Sequence, residues 1–171
     1  LRRLFRYLDS DLYDTCNGNL KLFLRRIDQR RIDQAAGDPT FLRNYHQVLS
    51  SYDGFLARPL PGDLRDGLDP QRDLIAYFCF ECGLHESLPI YSGGLGILAG
   101  DHCKAAADLA IPLVAVGLMY HQGYFEHRLD ANGGQVEHYL TNDFGALPLE
   151  QVVDADGRPL QVEVPASEGV V

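Results

Sequence analysis

No apolar run in this sequence approaches the roughly 20 residues needed to cross a bilayer, so a membrane span is not expected. The N-terminus, LRRLFRYL, lacks a long apolar stretch and a small-residue cleavage site, so no signal peptide is visible. Positive charge is scarce. Fifteen Lys and Arg stand against 24 Asp and Glu, a net charge of −9, which argues against nucleic acid as the main partner. Eight of the fifteen basic residues lie within positions 1–31, and a basic, exposed helical surface accounts for them. Cysteine is sparse, with Cys16, Cys79, Cys82 and Cys103, and three of the four fall in apolar segments. Reduced, buried thiols of a cytoplasmic protein are the expectation. Cys79-Phe-Glu-Cys82 has the spacing of a zinc half-site, but a structural site needs a second pair and only His102-Cys103 could offer one, so no metal is expected. Internal repeats and low-complexity tracts are absent.

What is present reads as a globular chain. Apolar residues make up 46% and charged residues 23% of 171, enough for one domain with a core. The sequence starts at Leu1 and stops in the apolar run GVV, so it is expected to be a piece of something larger.

Residues 1–57 read as a helical N-terminal extension, interrupted near Cys16–Asn19. In DPTFLRNYHQVLSSYDGFLA, Asp38 can cap and Pro39 suits the first helical position. Phe41, Leu42, Tyr45, Val48, Leu49, Tyr52 and Phe55 then recur at three- and four-residue steps, an apolar stripe expected in the core. Residues 58–70, with three prolines and two glycines, read as a linker. Residues 71–171 change style. DLIAYFCFE (73–81) is nearly continuous in apolar residues, as in a strand covered on both faces. A glycine turn follows, then a helical pattern with Leu95, Leu98, Ala99, His102, Ala105, Ala106 and Leu109 on one face. Pro112 ends the helical region and LVAVGLM (113–119) is a second buried strand, which makes a βαβ unit with a parallel sheet. Asp130-Ala-Asn-Gly-Gly134 and Asp154-Ala-Asp-Gly157 are hairpin signals.

The glycine turn, IYSGGLGILAGDHCKAA (90–106), invites a ligand. Glycine lets another group approach the backbone, and a turn that opens a helix aims free N–H groups forward, which suits an anion. Gly94-x-Gly96-x-x-Ala99 matches the dinucleotide fingerprint, but the second strand ends GLMYHQ without the acid that would hold a ribose, so nicotinamide cofactors are disfavoured. A phosphate or sugar hydroxyl at the turn remains open, as does a purely structural reading in which the glycines only let the helix pack closely on the sheet. Glu81 ends the first strand, at the edge where open α/β sheets place ligands, and a charge beside an apolar strand needs a partner. His85 and Glu86 follow in the loop, where Glu86 reads as a solvated acid; Asp101 and Lys104 can pair along the helix; His121, His127 and His138 show no ligand spacing.

The ordered run of E-x-GLHESLPIYSGGLG, LAGDH-K-A-DL, PL-VGL-Y-QGYF and L-ANG-Q-E resembles the α-glucan (glycogen, maltodextrin) phosphorylases, more closely their compact bacterial and archaeal branch. The resemblance is dense over about residues 73–140 and looser over 1–57, with a shortening around Gln29–Gly37. It implies an α/β fold, the incomplete start of the Rossmann-like N-terminal lobe of a GT-B glycosyltransferase. It also implies an enzyme that uses pyridoxal phosphate and inorganic phosphate to release glucose 1-phosphate from an α-1,4-glucan, with homo-oligomers of the full-length protein compatible. By resemblance, Gly93, Gly94, Leu95 and Gly96 contact the phosphate and glucosyl region, and Glu81 lies near the glucose. The cofactor's Schiff-base lysine belongs to the other lobe: neither Lys21 nor Lys104 stands in the cofactor motif, so this chain alone is expected to be inactive. Cys79, Phe80 and Cys82 depart from the family pattern and read as packing changes. Two alternatives stay open: a glycogen or starch synthase lobe, whose GGLG turn follows a lysine where Ser92 stands here, and a non-catalytic sugar- or anion-binding domain.

Overall fold

The computed structural model describes residues 1–163 and, by backbone, Pro165–Ala166 and Gly169–Val170. Five helices open the chain: α1 (Arg2–Leu8), α2 (Ser10–Thr15), α3 (Leu20–Arg26), α4 (Gln29–Ala36) and α5 (Pro39–Leu56). Their starts are set locally. The side chains of Asp9, Asn19, Asp28 and Asp38 each accept a hydrogen bond from a backbone N–H of the first turn that follows, at Leu12, Leu22, Arg30 and Thr40. The expected interruption at Cys16–Asn19 is a left-handed corner, with φ of 48° at Asn17 and 70° at Gly18. Phe23, fully buried, centres the helical core, with Phe5 edge-on at 5.3 Å between ring centroids and Tyr13 at 6.3 Å.

The stripe of α5 departs from expectation. The helix forms, but none of its residues is buried, and Tyr45, Leu49, Tyr52 and Leu56 are exposed. The helix packs against α1 and α4, where Phe41 meets Tyr7. Of the rest of the stripe, Leu42, Val48 and Phe55 are half-buried, with the Arg58 guanidinium over the Phe55 ring at 4.9 Å. The 58–70 connection is not wholly exposed: Leu60 is buried, and a short 3-10 helix follows at Gly62–Leu64.

Strand β1 (Ile75–Phe78) pairs in parallel with β2 (Leu113–Val116) from Ile75↔Leu113 to Phe78↔Val116, and helix α6 (Gly94–Asp108) connects them. The expected βαβ unit is therefore present, but its strands are shorter than the apolar runs and are not covered on both faces. Side chains alternate across a strand. The Tyr77 ring meets His102 of α6 at 4.8 Å, whereas Phe78 turns to the other face and is 72% exposed. The face of α6 also differs from the expected one. Gly96, Ala99, Gly100 and Ala106 are buried, while Leu95, Leu98 and Leu109 are exposed. The cause is a close backbone approach. A Cβ on Gly100 would lie 2.1 Å from the Gly83 carbonyl oxygen, and one on Gly96 would lie 2.4 Å from the Tyr91 Cβ. Only small residues fit such a seam.

The first hairpin signal gives β3 (Glu126–Leu129) and β4 (Gln135–His138), antiparallel, closed by an Asp130 carboxylate that accepts from Asn132 and Gly134 N–H. The second gives a turn and a Val153↔Pro159 bridge rather than full strands; of its flank, Val164 lies outside the described residues. Short strands β5 (Pro165–Ala166) and β6 (Gly169–Val170) pair antiparallel. The helices are tied to the segment after β4: Asn19 Nδ2 donates to the Ala146 carbonyl at 2.8 Å, Lys21 Nζ to that of Leu149 at 2.7 Å, and Arg25 to that of Gly145.

The seam makes a contrast that urea denaturation can read. Gly100→Ala is expected to destabilise by about 1–3 kcal/mol, the cost of overpacking a filled site. Gly94→Ala, whose added Cβ meets nothing within 4 Å, is expected to leave stability equal or slightly raised.

Candidate functional site

The site is built where β1 ends. Beyond Phe78 the chain runs through Cys79 and Phe80 to Glu81, makes a loop, and returns through Ser92 and Gly93 to open α6. The half-buried Glu81 carboxylate receives the returning chain. Ser92 N–H donates to Oε2 at 3.0 Å, Ser92 Oγ to Oε1 at 3.1 Å, and Gly93 N–H to Oε2 at 3.4 Å. The Ser92 N–H, then that of Gly93, hold the Glu81 carboxyl below the usual carboxylate range.

The glycines divide into two groups. Gly96 and Gly100 are packing glycines, as the purely structural reading requires, and the Gly96 carbonyl accepts from Gly83 N–H at 2.7 Å. Gly93 and Gly94 are not: a Cβ on either meets nothing within 4 Å, and neither has a positive φ. Packing inside this chain does not ask for glycine at either position. Gly93 gives α6 no side-chain cap, and the N–H groups of Gly94 and Leu95 have no acceptor among the described residues. The turn thus presents bare backbone and free donors beside a carboxylate.

A cavity of about 250 Å³ adjoins it, lined by Glu81, Pro89, Tyr91, Ser92, Tyr120, Gln122, Gly123 and Tyr124. Tyr120 Oη donates to the Phe80 carbonyl at 2.9 Å, and Asn142 Nδ2 to the Tyr120 carbonyl at 2.8 Å, which fixes the segment after β2 against the segment after β1. Sequence reasoning singled out Glu81 and the turn but missed Tyr91, Tyr120, Gln122 and Tyr124. The available signal was position: Tyr120 and Gln122 follow the carboxyl end of β2, the edge that collects ligands in parallel sheets.

The other candidates lie elsewhere. His85 Nδ1 is engaged by Ser87 and its ring packs near Gly18, while Glu86 is exposed. No ion pair joins Asp101 to Lys104 among the described residues. His127 bonds Gln135, and His138 stands 3.8 Å from Glu126. Among the described residues, no three His, Cys, Asp or Glu side chains are grouped to hold a metal ion, and no helix is long and apolar enough to cross a membrane. Lys21 is tied to the Leu149 carbonyl, Lys104 is exposed along α6, and neither lines the cavity, so this chain's residues do not fit the Schiff-base lysine of pyridoxal phosphate.

A family model described as "Protein of unknown function (DUF3417)" matches residues 1–88 of the 171. The chain belongs to the DUF3417 family. DUF3417 is the N-terminal domain of phosphorylases. The DUF3417 chain is 41% identical over 172 aligned residues to a glycogen phosphorylase of Mycobacterium tuberculosis, covering 98% of this chain and 20% of the relative. It is 34% identical over 169 residues to a maltodextrin phosphorylase of Thermococcus litoralis, covering 99% of this chain and 20% of the relative. It is 32% identical over 163 residues to a glycogen phosphorylase of Aquifex aeolicus, covering 95% and 22%. The chain therefore spans about a fifth of the length of these relatives. No solved structure matches it. The resemblance to phosphorylases read from the motifs holds, and the synthase and binding-module alternatives are not favoured.

The lowered Glu81 carboxyl fixes the sign of a pH effect. A carboxyl depressed in the folded state adds stability that is fully present above its ordinary value of 4.5 and is lost as pH falls through the lower folded value. Glu81→Gln is expected to flatten that acid limb, read as melting temperature against pH from neutrality downward. An unchanged limb would mean that Glu81 does not hold the turn as an anion.

Proposed function

We propose that this chain is the N-terminal wall of the active site of an α-glucan phosphorylase, an enzyme that moves the terminal α-1,4-linked glucose of a glucan to inorganic phosphate and yields glucose 1-phosphate. In this reading residues 1–57 are a helical extension, 58–70 a connection, and 71–171 the start of the α/β N-terminal lobe of a GT-B fold, in a cytoplasmic protein. The observation that carries the reading is the pairing of bare glycines with free donors: among the described residues, Gly93 and Gly94 have no packing reason to lack a side chain, and the N–H groups of Gly94 and Leu95 have no acceptor.

The chemistry follows from that geometry. Gly93, Gly94, Leu95 and Gly96 bring backbone to the phosphate and glucosyl groups, and donors at a helix start favour an anion there. Gly96 contributes from beneath, since its α-carbon is packed against Tyr91 and Glu81. Glu81 acts at the glucosyl group while holding the turn at Ser92 and Gly93, from the wall of the cavity. Tyr91, Tyr120 and Tyr124 offer the amphipathic walls that suit a sugar ring. The family cofactor, pyridoxal phosphate, would take its lysine from elsewhere in the protein.

Two measurements test this. In the full-length protein, Gly94→Val is expected to lower kcat/KM for phosphorolysis of maltodextrin on the order of 100-fold or more, the scale of losing a preorganised donor, with the melting temperature close to wild type. Near-normal turnover would remove the turn from the site. Residues 1–171 alone, given pyridoxal phosphate and borohydride, are expected to show no stoichiometric lysine label and no glucose 1-phosphate release. Labelling of Lys104 would put the cofactor on this chain.

A further inference from the structure

Beneath the glycine turn two thiols face one another. Cys82 Sγ and Cys103 Sγ are 4.0 Å apart. Their approach is built by the seam. Gly96, Gly100 and Cys103 succeed one another at four and three residues along α6 and so share one stripe of its surface. That stripe lies on the segment after Glu81: Gly83 N–H donates to the Gly96 carbonyl, and the Gly83 carbonyl fills the space a Gly100 side chain would need. The third member of the stripe therefore lands against residue 82. Cys82 is buried, Cys103 is half-buried, and all four cysteines are free thiols. The function proposed above uses neither sulfur.

We propose that Cys82 and Cys103 are a redox-active dithiol that hydrogen peroxide closes into a disulfide, stapling α6 to the segment that carries Glu81. The partially exposed Cys103 reacts first. Its thiolate attacks one peroxide oxygen, the O–O bond breaks, and the departing hydroxide is protonated to water, leaving a sulfenic acid. Cys82 then gives up its proton as its sulfur attacks the Cys103 sulfur; the S–O bond breaks and the second oxygen leaves as water. Two thiols are oxidised by two electrons and one peroxide is reduced to two waters. The order of attack follows from burial, which with the neighbouring Cys103 pushes the Cys82 thiol up to about 11 and keeps it a thiol until the sulfenic acid is beside it. The bridge needs the sulfurs to close from 4.0 Å to bonding distance, a side-chain movement across a seam whose backbones already touch. Closure would restrain residue 82, the neighbour of Glu81, against the helix whose start Glu81 holds.

The test is thiol mapping on the intact protein. Reduced protein is treated with equimolar hydrogen peroxide, remaining thiols are alkylated, and the digest is read by mass spectrometry. The expected result is a Cys82–Cys103 linked peptide, lighter by two hydrogens than the sum of its parts and reversed by dithiothreitol, with Cys16 and Cys79 alkylated. Cys103→Ser is expected to lose the linked peptide completely while Cys16→Ser keeps it. The mapping on the unmutated protein decides even where Cys103→Ser folds poorly. Both thiols still alkylated after oxidation, a Cys103 sulfinic acid without a bridge, or Cys79 as the partner in the linked peptide would each overturn the proposal.

Discussion

The α/β half of the molecule hangs on one join. The Glu81 carboxylate takes the N–H groups of Ser92 and Gly93, while one residue pair further on Gly83 locks to the Gly96 carbonyl. Together these bonds fasten the segment after β1 to the first turn of α6. The closeness of that join dictates the sequence around it. Gly96 and Gly100 must be glycine, Ala99 must be small, and the leucines of α6 are driven to the opposite side. It also leaves the front of the turn bare, because a carboxylate from behind satisfies the donors of Ser92 and Gly93, while those of Gly94 and Leu95 have no acceptor among the described residues. One packing constraint thus produces both the fold of the βαβ unit and the geometry at which an anion could be met.

The same seam explains the sheet's uneven cover. A two-stranded parallel sheet has one face for α6 and another for something else. Phe78 at 72% and Phe80 at 71% exposure show that the described residues supply only the first layer. Parallel strands with near-continuous apolar runs are ordinarily covered on both sides. The exposed stripe of α5 poses the same demand in the helical half. The chain is about a fifth of the length of its phosphorylase relatives, and both surfaces are of the kind that packs against further protein.

The parts legible in the sequence are those fixed within a few residues. Asp38 and Pro39 announced α5, and the Asp130–Gly134 turn announced its hairpin, because caps and tight turns are decided by neighbours along the chain. The glycine turn and the acid at the strand end were legible for the same reason. Which face of α6 would be buried was not. Hydrophobic periodicity points to leucines, whereas backbone proximity across residues 83 and 100 selected glycine and alanine, and that proximity exists only in three dimensions. Tyr91, Tyr120 and Tyr124 were invisible as a group because the join of two strand ends, not spacing, assembles them around one cavity.

Under the proposed function, the front of the glycine turn meets the phosphate and glucosyl groups. Hydrogen–deuterium exchange on the full-length protein, with and without glucose 1-phosphate, reads this contact at the amides themselves, because the N–H groups of Gly94 and Leu95 have no acceptor of their own among the described residues. Slowed exchange in the peptide that contains Ser92–Ile97, with the β3–β4 hairpin unchanged, is the expected result. Saturating glucose 1-phosphate that slows exchange elsewhere and leaves this peptide untouched would contradict the claim.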